Sequence, residues 1–338
     1  MPYTRIVLHA FGGPEGLRLE TVPDLPEPGP GEAQVRVLVT SAAFTDVMIR
    51  KGMYPDVEEQ PPFVPGYDLV GVVDALGPDT RGPPVGTRVA DLTTIGAYTE
   101  HLCVSADRLT PVPEGVRDEA ALAVILSAVT PWQMLHRVAR AKAGDRILVH
   151  GAGGAVGTAM LQLARDAGIA AFGTDVAEKH DLIRRLGGLP TDGGAGDLEA
   201  AIAEAVGDGM DFVFDPLGGA SLSRSLRALK PGGMLVAFGF QNAVLGRGGS
   251  IPLDFVRLKL WDWLPNGHVT AFYSIGAMRR RHPDWFWEDL ARRLAMLAES
   301  RIEPEVAEVV PLRDVRRAHE RIEAGEVAGK LVMRVTER

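Results

Sequence analysis

The segment Ile147-Leu-Val-His-Gly-Ala-Gly-Gly-Ala-Val-Gly157 constrains this chain more than any other. An apolar run ends in a cluster of glycines, and the glycines open an amphipathic stretch over 155–167. A strand that turns sharply into a helix brings backbone N–H groups to the helix N-terminus, where a pyrophosphate is stabilised. Gly151, Gly153, Gly154 and Gly157 make up the turn, with Ala155 and Val156 between the last two. A Cβ at the glycine positions would block the turn or the approach of a ligand. The spacing departs from Gly-x-Gly-x-x-Gly, because Val156 stands where the third glycine belongs. A tight turn without a ligand is the alternative. The strand before, the helix after and the continuing alternation favour dinucleotide binding.

That alternation runs from 146 to 239. Short apolar runs at 146–150, 169–173, 211–215 and 234–238 are separated by helical stretches at 155–167, 178–186 and 221–229. This pattern predicts an α/β fold with a doubly wound parallel sheet. Ligands bind outside the carboxyl ends of such strands. Asp175, Asp215, Phe238, Gly239 and Phe240 fall at those ends and are candidate cofactor contacts. Asp175 can accept hydrogen bonds from ribose hydroxyls, which favours NAD(H). Lys179, four residues on, can pair with a 2′-phosphate, which favours NADP(H).

Upstream the pattern differs. Strands at 33–40, 68–75, 87–92 and 97–104 lie between Gly and Pro breaks and predict a β-barrel-like domain. The alternation of Val35, Val37 and Val39 with polar neighbours reads as a half-buried strand. Residues 119–126 are helical, and Thr130-Pro-Trp-Gln133 reads as a fresh helix start with Thr130 as N-cap. After 268 come a strand at 269–275, helices at 284–300 and 314–324, and a strand at 330–335. With 338 residues, two domains are expected: 1–125 with 268–338, and 126–267.

Composition excludes several functions. The chain holds 36 Lys+Arg against 44 Asp+Glu, a formal charge of −8, which argues against nucleic acid or an anionic membrane as partner. The apolar run at 120–129 is far short of the ~20 residues of a membrane span. Met1-Pro-Tyr-Thr-Arg5 leads into a strand-like stretch rather than a secretory leader. One cysteine, Cys103, allows no intrachain disulfide and no Cys-rich zinc site, and a reducing cytoplasm is expected. His101 and Cys103 share a strand face and read as structural. Trp261-Asp-Trp263 and Trp285-Phe-Trp287 lack basic interleaving, so they suit a dimer interface or a substrate lid better than base stacking.

Several motifs together resemble the medium-chain dehydrogenase/reductase superfamily, in its zinc-lacking quinone oxidoreductase and enoyl reductase branch. They are Phe11-Gly-Gly-Pro-Glu15, Pro28-Gly-Pro-Gly-Glu-Ala-Gln-Val-Arg-Val37, Asp46-Val-Met-Ile-Arg-Lys-Gly-Met-Tyr-Pro55, Pro65-Gly-Tyr-Asp-Leu-Val-Gly-Val-Val73, the glycine loop and Gly329-Lys-Leu-Val332. The resemblance spans nearly the whole chain in the family's order. It implies a GroES-like domain, a Rossmann domain, and a C-terminal return to the first domain. It also implies a homodimer paired through Rossmann edge strands, with 269–275 as the edge.

In the family's zinc-dependent members, metal ligands stand where Ala43 and Tyr67 stand here, so no metal is expected. Many quinone reductases carry Asn at the place of Ala43, and this chain does not. NADP(H) is slightly favoured over NAD(H). The implied reaction is hydride transfer to a quinone or an α,β-unsaturated carbonyl compound. Tyr54, by resemblance to the enoyl-reductase tyrosine, is the candidate donor to the enolate oxygen; a phenol with a pKa near 10 keeps its proton at neutral pH. Phe44, Tyr67 and Phe240 are expected to line the pocket, with Tyr54 as pocket wall the alternative to Tyr54 as donor. Thr130 is expected at the carboxamide end of the cofactor and Lys330 near the cofactor. Asp46 is expected to hold loop geometry. Alternative functions are a pathway-specific enoyl reductase of secondary metabolism and a non-catalytic cofactor-binding sensor or scaffold.

Overall fold

The computed structural model describes residues 1–192, 208–265 and 267–336. The strands, in chain order, are β1 (Tyr3–Leu8), β2 (Leu17–Val22), β3 (Glu32–Ala42), β4 (Leu69–Leu76), β5 (Arg88–Asp91), β6 (His101–Ser105), β7 (Thr110–Pro111) and β8 (Arg146–His150). There follow β9 (Ala170–Asp175), β10 (Leu189–Asp192), β11 (Met210–Asp215), β12 (Leu229–Ala237), β13 (Val269–Phe272), β14 (Val306–Pro311) and β15 (Lys330–Arg334). Helices α1 (Phe44–Arg50), α2 (Asp118–Ile125), α3 (Val129–Trp132), α4 (Ala155–Asp166), α5 (His180–Arg185) and α6 (Ala220–Arg227) carry most of the residues discussed below.

The chain divides into two compact units, Met1–Val129 with Phe286–Arg338, and Thr130–Trp285. The second boundary falls after Trp285 rather than at 267/268. Its cause is β13, which pairs in parallel with β12 and so extends the sheet of the second unit.

In the first unit, β1 and β2 form an antiparallel hairpin. A larger sheet runs β14-β15-β3-β4-β5-β7, with β6 also paired to β3. β3 is buried along nearly its whole length, not half-buried as its alternation predicts. Its edges pair with β4, β6 and β15, and the burial of successive residues shows both of its faces covered. The pairing of Leu331 with Ala42 and Met333 with Thr40 is the return of the C-terminal segment to the first domain. One apolar core gathers Ile6, Leu8, Tyr98, Val315, Leu331 and Met333; a second gathers Val35, Val37, Leu69, Val73 and Val89.

The second unit holds a six-stranded sheet in the order β10-β9-β8-β11-β12-β13, with every pairing parallel. This is the doubly wound order, with its switch point between β8 and β11. Aliphatic and aromatic side chains fill the interior, including Leu148, Phe172, Val213, Leu222 and Leu235. The edge strand expected at 269–275 is β13. A helix at Ile251–Trp263 had no sequence forecast, because its apolar residues surround the axis instead of forming one stripe. Leu258 is buried there, whereas Leu253, Val256, Leu260 and Trp263 are exposed.

Candidate functional site: a glycine cradle and a phenol pair

The glycine loop leaves β8 and enters α4 at the switch point of the sheet. Gly151 has φ +67°, a left-handed conformation that favours glycine, and its carbonyl accepts the Gly154 N–H at 3.0 Å. Gly157 supplies the close packing that the consensus gives to its third glycine. A Cβ there would lie 2.4 Å from the Gly151 oxygen and 2.5 Å from Ala152 Cα. The one-residue shift noted in the sequence is therefore accommodated by Gly157 itself. Gly154 is the N-cap of α4 and no side chain caps the helix. The first-turn N–H groups have no intrahelical acceptors, which is the arrangement that takes a phosphate.

Asp175 and Lys179 lie against this loop. One Asp175 oxygen accepts the Gly153 N–H at 2.9 Å. The other accepts the Val176 N–H at 2.9 Å and faces Lys179 Nζ at 3.6 Å. A Cβ on Gly153 would meet the Lys179 side chain at 2.6 Å. The two residues read as rivals in the sequence thus form a pair beside the cradle. Both carboxylate oxygens accept hydrogen bonds from the chain.

A buried hydrogen-bond chain fixes the strand ends beneath the loop. Asp215 accepts from the N–H groups of Leu217 and Gly218, and from Ser225 Oγ at 2.7 Å. Since Ser225 donates to the carboxylate, His150 Nε2–H donates to Ser225 Oγ at 3.0 Å. His150 Nδ1 then accepts the Thr174 hydroxyl at 2.7 Å. Burial pushes the His150 imidazole below its ordinary range, against the opposing pull of Asp215, and keeps it neutral. The ends of β8, β9 and β11 are locked together in this way. Asp215 therefore shapes the turn after β11 through its carboxylate. Sequence reasoning missed His150, Thr174 and Ser225, because no local pattern links them.

At the end of β12, the Phe238 N–H donates to the Asp215 carbonyl at 2.9 Å. A Cβ on Gly239 would lie 2.8 Å from the Pro216 oxygen. Phe240 does not present a free aromatic face. It is buried, stacked on Phe272 with centroids 5.0 Å apart and packed edge-on to Phe255. Thr130 is not an N-cap. It is the second residue of α3, because the Ala128 N–H already bonds the Val124 carbonyl and the helical path starts earlier than Thr130. Its hydroxyl is buried with no hydrogen-bond partner, and so retains bonding capacity for a ligand.

In the first unit, Tyr54 and Tyr67 meet. Their hydroxyls are 2.6 Å apart and their rings are edge-to-face, with centroids 5.7 Å apart. Tyr67 is buried and Tyr54 partly exposed. Phe44, half-buried, opens α1. Ala43 has no ligand atom to offer a metal, and its N–H donates to the Asp46 carboxylate at 3.0 Å. Asp46 thus holds the start of α1, as expected. Burial pushes its carboxyl up to about 8, with the nearby Asp68 charge adding to the effect. Lys330 is neither a surface lysine nor free for a cofactor. It is buried, and its ammonium donates to Asp68 at 2.8 Å. Ser41 donates to the other Asp68 oxygen. The Tyr98 hydroxyl donates to the Ser41 carbonyl at 3.1 Å, so His319 Nε2–H donates to the Tyr98 oxygen at 3.0 Å. Burial, then the Arg50 charge, push His319 down to about 3.

Known proteins carry the same arrangement of parts. Residues 29–114 match the alcohol dehydrogenase GroES-like domain family, and residues 190–333 match the zinc-binding dehydrogenase family. The chain is 30% identical to the synaptic vesicle membrane protein VAT-1 homolog of Rattus norvegicus, over 98% of this chain and 84% of the relative. It is also 30% identical to a 2-haloacrylate reductase of Burkholderia sp, over 97% of each chain. The solved structure of mycobacterial Rv1454c complexed with NADPH superposes with a TM-score of 0.87 at 29% identity, covering 98% of this chain and 100% of that one. Among the described residues no helix is long and apolar enough to cross a membrane. The first unit is GroES-like, the second is a Rossmann unit, and the chain belongs to the medium-chain dehydrogenase/reductase superfamily, in its zinc-lacking quinone oxidoreductase and enoyl reductase branch.

Proposed function

We propose that this protein is a cytoplasmic, zinc-independent NADPH-dependent reductase of activated double bonds, acting on α,β-unsaturated carbonyl compounds and quinones. The observation that carries the proposal is the cradle at Gly151–Gly157: a glycine-rich turn at the sheet's switch point, an uncapped helix start and a lysine against the loop. Similarity over 97% of both chains to a protein named for reducing 2-haloacrylate supports an activated alkene as acceptor. Zinc independence is supported by the donor set, since Ala43 has no ligand atom and the Tyr67 hydroxyl is bonded to Tyr54.

Bound NADPH supplies a hydride from C4 of its nicotinamide. The α4 N-terminus and loop N–H groups hold the pyrophosphate, Lys179 pairs with the 2′-phosphate, and the Thr130 hydroxyl takes the carboxamide. The acceptor's β-carbon takes the hydride, its carbonyl oxygen takes the displaced electron pair, and its α-carbon takes a proton from solvent. Tyr54 O–H donates to the developing enolate oxygen, where charge appears in the transition state. A dimer through β13 completes the reading. That strand ends one side of the sheet, Val269 on it is exposed, and Thr270 Oγ1 bonds the Leu258 carbonyl of the neighbouring helix, which exposes Leu253, Val256, Leu260 and Trp263.

The test is loss of NADPH or NADH absorbance with purified protein and a panel of a 2-haloacrylate, an enal, a benzoquinone and an enoyl thioester. Turnover with NADPH, and a Lys179→Ala variant that weakens NADPH without weakening NADH, are expected. Failure to bind either dinucleotide would overturn the reading. Binding without turnover on any acceptor would point instead to a sensor.

A further inference from the structure

We propose that His150 is a positioning residue for dinucleotide binding. Its imidazole bridges Thr174 to Ser225 and Asp215, and so holds the backbone that follows β8, β9 and β11 in the shape that receives the cofactor. The inference rests on the reading of the cradle given above and names the buried group that keeps the cradle in shape.

Every member of the bridge lies within the Rossmann unit. His150 ends β8, and Gly151 follows it at once; Thr174 is paired with His150 in the parallel register, and Asp175 follows it. Asp215 ends β11, and its carboxylate accepts the Leu217 and Gly218 N–H groups of the next turn. His150, Thr174, Asp215 and Ser225 are all buried. The bridge has a direction. Asp215 accepts from Ser225 Oγ at 2.7 Å, which leaves the Ser225 oxygen to accept His150 Nε2–H at 3.0 Å, and the bare Nδ1 to accept the Thr174 hydroxyl at 2.7 Å. Burial favours the neutral ring that this requires, against the pull of Asp215 and with the help of the Arg224 charge.

The glycine loop has no slack against this frame. The Thr174 carbonyl accepts the Ala152 N–H at 3.1 Å, and the Asp175 carboxylate accepts the Gly153 N–H at 2.9 Å. A Cβ on Gly173 would lie 2.6 Å from Ala152 Cβ, so loop and strand touch with no side chain to cushion them. A shift at Thr174 therefore reaches Ala152 and Gly153, directly ahead of the uncapped start of α4. Donors held in place beforehand lose less freedom when a ligand arrives, so the bridge contributes to affinity without touching the cofactor.

The experiment measures NADPH affinity by calorimetric titration, with thermal melts, for wild type and a set of variants. His150→Phe fills the ring's space without polar atoms and is expected to weaken NADPH about tenfold. Thr174→Val removes one hydroxyl at a strand position that suits Val, and should weaken NADPH about threefold. His150→Gln returns a donor toward Ser225 and should recover most of the affinity that Phe loses. The double variant of His150→Phe with Ser225→Ala should bind like His150→Phe alone, because both break the same bridge. Leu258→Ala opens a cavity beside β13, three strands from β8; it should melt lower and keep its affinity, which separates lost position from lost stability. Nitrogen NMR of histidine-labelled protein should show His150 as the Nε2–H tautomer. Wild-type affinity in both His150→Phe and Thr174→Val overturns the positioning role and leaves the cradle standing. So does an Nδ1–H tautomer, or a Leu258→Ala protein that loses affinity in step with its melting temperature. If His150→Phe does not fold, Thr174→Val and the tautomer decide the matter. A wild type that binds neither NADPH nor NADH brings down the cradle and the positioning role together.

Discussion

Replacing Gly157 by Ala tests the cradle at its tightest point. The new Cβ would fall 2.4 Å from the Gly151 oxygen, where ordinary contact starts at 3.4 Å, so loop and helix must part by about 1 Å. The clashing atoms are backbone, and no side-chain rotation relieves them. Overpacking of this kind costs about 1–3 kcal/mol. For a protein of this size that lowers the melting temperature by about 1–4 °C. The displaced groups are the N–H donors proposed to hold the pyrophosphate. Losing one charge-assisted hydrogen bond costs ~1.5–3 kcal/mol, at least a tenfold fall in dinucleotide affinity. Gly154→Ala is the control. Gly154 has φ −82°, and its Cβ would stand 3.3 Å from the same oxygen, so a shift of a few tenths of an ångström suffices. Calorimetric titration with NADPH, alongside thermal melts, reads both quantities. Wild-type melting and affinity in Gly157→Ala would refute the assignment of the close-packing role to Gly157.

Two further perturbations probe the buried charges of the GroES-like unit. Asp46 has its carboxyl raised to about 8 by burial and by Asp68, from an ordinary value of 3.8. Between those values the native state keeps a proton that the unfolded state has released, so stability falls as pH rises from 4 to 8. Asp46→Asn is permanently neutral, and urea unfolding across that range should show a flatter profile; equal slopes in the two proteins would contradict the buried, protonated carboxyl. Lys330→Met leaves the Asp68 carboxylate buried with only Ser41 as side-chain partner, a loss of ~3–5 kcal/mol in the same assay. Adding Asp68→Asn should restore most of it, and a single variant within about 1 kcal/mol of wild type would show the pair to be dispensable.

Legibility in the sequence followed the range of the interactions. The loop at Gly151–Gly157 was readable, because strand, turn and helix are consecutive and each carries its own signal. The strand–helix alternation after 146 was readable for the same reason, down to β13 as the edge. Thr130 misled, since the cap signature is local while the helix start depends on the path from α2. The domain limit at 267/268 misled, because nothing in residues 268–285 states which sheet they join.

Residue order alone determined that this chain builds a glycine-rich strand–turn–helix and a β-rich domain, since both depend on neighbours a few positions apart. Only the folded chain decided which groups act together. Tyr54 meets Tyr67 because the segment after α1 and the segment before β4 come together in the fold. Lys330 meets Asp68 across 262 residues because β15 pairs with β3, which in turn pairs with β4. His150, Thr174, Ser225 and Asp215 join because parallel pairing aligns three strand ends, and α6 supplies the serine. Such contacts arise from sheet order, and sheet order is a property of how strands pack rather than of any stretch of sequence.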